Sequence, residues 1–195
     1  MELYKELKET AIGEKVGLNN IFDIALQEVF SDNYLNKIRS KTKKDMVSTK
    51  EMGREGETQS SFFGGVKIRI NPKSLEKKNM HQKIGLLMHE FIHYLQEAKS
   101  FFIARKFKQV TTLTEALYGI VKRNLTKGYS IKDILPKRAS TISEFEILAY
   151  FISDELNWKV LTDKGRRDFL STIRSSGIFN LSSKYMKGLI EKIFD

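Results

Sequence analysis

Between Met80 and Ala98 the chain runs MHQKIGLLMHEFIHYLQEA, a helical pattern without proline. On a wheel of about 100° per residue, Ile84, Met88, Phe91, Ile92 and Leu95 share an arc of about 100°, and His89 and His93 lie on the opposite side. A helix patterned in this way buries one face in a core and turns two imidazoles towards a cleft. Gly85, one turn before His89, predicts open space beside that cleft.

The segment His89-Glu90-Phe91-Ile92-His93 is an H-E-x-x-H motif. Residues four apart on a helix stand about one turn up and some 40° round, so both imidazoles reach one metal ion. Glu90 is rotated by about 100° from His89, which places it beside the ion as a base for an activated water. The chain has no cysteine and three histidines, so any further ligand comes from His, Asp or Glu.

The rest of the chain supplies a domain around this helix. Its 195 residues, 41% hydrophobic with 13 Phe, are enough for one core, and a single domain spanning 1–195 is expected. LNNIFDIALQEVF predicts a helix over 18–30, and the polar stretch 32–61 predicts loops with one or two short strands. VKIRI alternates Val66, Ile68 and Ile70 with Lys67 and Arg69, a half-exposed strand that Pro72 ends. Helices are predicted over 80–98, 100–108, 112–124, 142–158, 164–175 and 182–194. The fold class is therefore α+β, mostly helical, with one small sheet.

A net charge of +10 could serve nucleic acid or an acidic partner. The basic residues are spread along the chain, however, and the densest cluster, Lys37, Arg39, Lys41, Lys43 and Lys44, has no interleaved aromatic to stack on bases. A solvated lysine-rich surface is the better reading, and nucleic acid is not the favoured partner. No apolar run approaches the roughly 20 residues that span a bilayer. The N-terminal MELYKELKETAIGEKVG lacks the pattern of a signal peptide, so the cytoplasm is the expected compartment.

The motif with a strand before it resembles the zincin superfamily of zinc metallopeptidases, in which an exposed edge strand preceding the helix binds extended substrate. VKIRINP is the matching segment. After His93 the sequence continues YLQEAKSFF, without the glycine and third histidine of metzincins, so the resemblance implies a downstream carboxylate ligand of the gluzincin type. Glu97 and His81 each stand eight residues, about 12 Å of helix axis, from His89, too far for one zinc. The candidates are Glu146, Glu144 and Glu115. Small gluzincins similar to the ImmA and IrrE proteins, many from phages or mobile elements, carry a ligand Glu followed three places on by Ala and then a large residue. Glu146-Ile147-Leu148-Ala149-Tyr150 has that form and favours Glu146, although Ser143 and Glu146 could instead form a helix capping box.

The function expected from the resemblance is zinc-dependent peptide hydrolysis on a protein or peptide substrate. Its metal ligands would be His89, His93 and Glu146, its base Glu90, and its oxyanion donor Tyr150. Gln96, beside the histidine face, could bond a ligand, though solvated glutamines are commoner. A lysine-rich rim would favour acidic substrates. The alternative is a non-catalytic zincin-like protein that contacts nucleic acid or a host protein.

Overall fold

Three short strands, β1 (Val47–Thr49), β2 (Gly56–Ser60) and β3 (Val66–Ile70), form one mixed sheet in the order β1-β3-β2, with β1 parallel and β2 antiparallel to β3. The structure, a computed structural model, describes residues 47–60, 66–97, 101–136 and 144–176. The helices expected at 18–30 and 182–194 and the lysine cluster at 37–44 lie outside the described residues. The one or two short strands expected within 32–61 are β1 and β2.

The alternation in VKIRI works as anticipated: Ile68 and Ile70 are wholly buried and Lys67 is exposed. The expectation that this strand is an edge is overturned, because β3 lies between its two neighbours. Its isoleucines have the apolar character of a central strand. Among the described residues the margin beside the motif helix is instead β2, whose polar GETQS suits an edge.

After β3 the chain makes a short helix, α1 (Pro72–Glu76). Pro72 starts it without losing a needed donor. Asn71 caps it by accepting from the Lys73 amide at 3.1 Å, and its Nδ2 donates to the Met52 carbonyl at 2.6 Å. The same residue therefore fixes the end of β3 to the approach of β2.

The motif helix is α2 (Met80–Glu97). Met88, Phe91, Ile92 and Leu95 are buried as the wheel requires, and Leu86, Leu87 and Tyr94 are buried too. The extra burial arises because β2 and β3 cover one side while α3 and α5 cover others. Here α3 spans Phe101–Arg123, α4 Ile131–Ile134 and α5 Glu144–Ile152. Two helices were expected where α3 is one. Its middle, QVTT, contains no helix breaker, and Val110, Leu113, Leu117 and Val121 form a buried stripe at helical spacing straight through it.

Helix α5 stops at Ile152, well short of the expected 158. The Asp154 amide donates to the Phe151 carbonyl at 3.3 Å and the Glu155 amide to the Tyr150 carbonyl at 2.8 Å, the two bonds of a Schellman cap. Asp154 takes the left-handed conformation, φ 73°, that this cap needs and that glycine usually fills. With no glycine there, the stop signal was hidden. A 3-10 turn, Trp158–Val160, leads to α6 (Asp163–Ser175), close to the expected bounds and capped by Thr162. The glycine at 85 has a different role from the expected one: a Cβ there would lie 3.3 Å from the Ser153 carbonyl, so Gly85 admits the end of α5 against α2.

Phe151 anchors α5. Its ring meets Trp158 and Phe169 edge to face at 5.6 and 5.3 Å, and Phe151 and Phe169 are wholly buried. Removing that ring should cost about 3–5 kcal/mol. Urea unfolding of Phe151→Ala is expected to show this loss. Metal binding should weaken as well, because α5 carries Glu146.

Candidate metal centre

His89 and His93 extend from one face of α2, and Glu146 reaches them from the first turn of α5. The two Nε2 atoms are 3.2 Å apart, and Glu146 Oε2 lies 3.4 Å from His89 Nε2 and 3.5 Å from His93 Nε2. Tetrahedral bonds of about 2.0–2.1 Å place ligand atoms about 3.3 Å apart. Among the described residues this is the group of three that could hold a metal ion, and its dimensions fit one of zinc's size.

Of the candidate third ligands, Glu146 alone joins the histidines. Glu115 is exposed on α3, and Glu144, two residues before Glu146, points elsewhere on the helix and is outside the group. Glu97 lines the same cleft without joining the group. The cap considered at Ser143 falls outside the described residues, as does the His81 side chain.

The tautomer of His93 follows from Gln96. The Gln96 Nε2 donates to the Phe145 carbonyl at 3.2 Å, which fixes the amide so that its Oε1 faces His93 Nδ1 at 2.7 Å. An amide oxygen only accepts, so in the neutral ring Nδ1 carries the proton and Nε2 keeps its lone pair for a metal, and only the protonated imidazolium donates from Nε2 to Glu146. One glutamine thus orients His93 on α2 and ties α2 to the residue before Glu146. The expected solvated glutamine is instead half-buried and bonded on both sides. Its place at i+3 from His93 was the signal available.

Burial alone would raise the Glu146 pKa, but hydrogen bonds from His89 and His93 and their charges outweigh it and hold the carboxyl at about 2. His93 shows the converse. Burial pulls its pKa down, and the Glu146 carboxylate more than reverses this, leaving it raised.

Glu90 turns away from the ligand triangle towards β2 but remains on the lining of the cleft. It is only 5% exposed, and burial raises its pKa against the opposing effect of both histidines. The Thr58 hydroxyl lies 3.0 Å from Glu90 Oε2 and 2.8 Å from the Glu90 carbonyl. Gly56 makes the close approach possible: a Cβ there would stand 2.8 Å from Glu90 Oε1. Neither Gly56 nor Thr58 was foreseen, since a polar strand carries no motif that marks it.

Tyr150 packs its ring 4.6 Å from that of His89 and lines the cleft. Burial, then the Glu146 charge, raises its pKa, so the hydroxyl stays protonated. Among the other tyrosines, Tyr94 is buried, Tyr118 is half-buried and Tyr129 is exposed on the surface. The cleft has a volume of about 720 Å³. Its described lining is not the expected lysine-rich rim, because only Arg54 and Lys78 among its residues are Lys or Arg.

No protein-family model matches the chain, and no curated protein or solved structure is significantly similar to it. No described helix is long and apolar enough to cross a membrane.

Two sets of variants test the centre. Zinc titration should show at least a 10- to 100-fold loss in affinity for Glu146→Ala and little change for Glu115→Ala or Glu144→Ala, since an inner ligand matters at least as much as its outer partners. Gln96→Ala should lose about 10- to 100-fold in zinc affinity with helix content unchanged by circular dichroism.

Proposed function

We propose that the protein is a zinc-dependent peptidase of the H-E-x-x-H, gluzincin-like type. The observation that carries this reading is the meeting of three ligand atoms at tetrahedral spacing with a buried glutamate on the same cleft. A purely structural site has no use for Glu90 there.

Zinc held by His89, His93 and Glu146 would supply Lewis acidity, acidifying water and polarising a carbonyl. The chain's own residues do the rest. Glu90, whose proton affinity is raised by burial against β2, takes a proton from the attacking water and returns it to the leaving amine. Thr58 holds the Glu90 carboxylate by hydrogen bonding, and Gly56 leaves room for it. Tyr150, protonated and on the lining, donates to the developing oxyanion.

The substrate platform in this reading is β2, not the VKIRI strand. The Asn71 amide bonds the Glu55 carbonyl across the ladder at 2.9 Å. Alternation then turns the backbone groups of Gly56 and Thr58 away from β3, where an extended peptide could pair with them.

The test separates binding from chemistry. Glu90→Gln should retain about one zinc per chain yet lose casein hydrolysis by about 10²- to 10⁴-fold. Gly56→Ala should also keep zinc while activity falls, because its methyl displaces the carboxylate. A zinc-loaded wild type that cleaves nothing would leave the non-catalytic binding role.

A further inference from the structure

Two features of the sequence speak against nucleic acid as a partner: the basic residues are scattered, and their densest run holds no aromatic. Both are reversed where the end of α3 meets the start of α6. The Thr162 amide donates to the Asn124 carbonyl at 2.9 Å and the Thr126 amide to the Val160 carbonyl at 3.0 Å, around an antiparallel bridge between Leu125 and Leu161. Asn157 then ties the 3-10 turn to α4, its amide donating to the Ile134 carbonyl at 3.0 Å and its Nδ2 to the Asp133 carbonyl at 3.1 Å. Residues far apart in the chain thus share one surface.

The stretches 122–136 and 156–168, which build this surface, hold eight Lys or Arg and three Asp. Lys122, Arg123, Lys127, Lys132, Lys159 and Lys164 are all exposed, and among the described residues none of them is in an ion pair. Of the acids, Asp133 accepts from the Ser130 amide and Asp163 pairs with Arg166. The six cations are left to solvent.

Tyr129 is a second, independent observation. It is 53% exposed, the one large hydrophobic residue so exposed among the described residues. The turn that presents it projects from the surface: the Tyr129 amide donates to the Thr126 carbonyl at 3.1 Å, and Gly128 takes the left-handed conformation, φ 89°, of the third position of a type II turn. A Cβ at Gly128 would meet nothing within 4 Å. A ring exposed beside this tip, between Lys127 and Lys132 in the chain, offers a flat face to a planar group.

We propose that this surface binds single-stranded nucleic acid, its cations meeting phosphates and Tyr129 stacking on a base. A protein partner fits less well, because protein interfaces bury an apolar core depleted in lysine, whereas the apolar part here is a single ring. A duplex keeps its base faces stacked on one another and leaves the ring without a role. Neither Tyr129 nor any of the six cations stands on the described lining of the metal cleft, so the proposal does not depend on the peptidase reading.

The experiment is fluorescence anisotropy of the full chain with fluorescein-labelled oligothymidylate and oligouridylate of about 12 nucleotides. Binding is expected, with log affinity falling against log salt at a slope of about −3, the value for about four phosphates on a single strand. Lys127→Gln combined with Lys159→Gln should make that slope shallower by about 1.4. Tyr129→Ala should weaken binding about fivefold or more at an unchanged slope, and Tyr129→Phe should restore it. Lys67→Gln combined with Lys73→Gln, exposed lysines of β3 and α1, should alter neither quantity. All these side chains are exposed, and circular dichroism checks that each variant keeps its fold. Binding of either oligonucleotide supports the proposal, and the tighter one names the sugar. No binding at about 0.05 M salt overturns it. So does an equal loss in the Lys67 and Lys73 variant, which reduces the effect to general charge. A duplex of the same length bound as tightly, or a polyglutamate peptide bound as tightly, with Tyr129→Ala without effect, overturns the single-strand assignment.

Discussion

The contact between α2 and α5 is the constraint on which the site depends. Two imidazoles on one helix define a direction but not a centre, and the third donor comes from a helix some fifty residues along the chain. Their approach is set by packing: Gly85 lets the end of α5 come close, Ala149 is buried without bulk, and Phe151 locks the helix into an aromatic cluster with Trp158 and Phe169. Gln96 then fixes the register with a hydrogen bond from α2 to the Phe145 carbonyl. Apolar packing brings the helices together, and one directional bond sets how they meet.

The two carboxylates of the centre are placed in contrasting environments by the same elements. Glu146 meets two imidazoles, and their hydrogen bonds and charge overcome the desolvation it suffers. Glu90, one residue from His89, is pressed against β2, where desolvation dominates and its proton affinity rises. One group is suited to remain a charged donor and the other to exchange a proton. The difference arises because residues next to each other on a helix face different neighbours.

Much of the fold was legible wherever residues acted through local pattern. The bounds of α2, the alternation of β3 and the start of α6 follow from periodicity, capping and breakers. Local pattern failed where a feature depended on partners. The zincin resemblance made VKIRI an edge strand, whereas in the sheet it lies between β1 and β2, whose polar sequences carry little strand signal of their own. The end of α5 was missed because Asp154 occupies a left-handed cap position without the usual glycine. The break expected within α3 is absent because a buried stripe continues through a pair of threonines.

The sequence by itself determined that two histidines would share a helical face with a glutamate beside them, since four-residue spacing on a helix admits no other arrangement. It also marked Glu146 through a family-like pattern, without excluding Glu115 or Glu144. Only the tertiary structure decided among these, because which carboxylate meets the imidazoles depends on how distant helices pack. It also decided that Gln96, Thr58 and Gly56 surround the two histidines and Glu90, and that six glutamates stand on the described lining of the cleft. No local spacing encodes such meetings; they follow from the burial of apolar faces that lie far from the site.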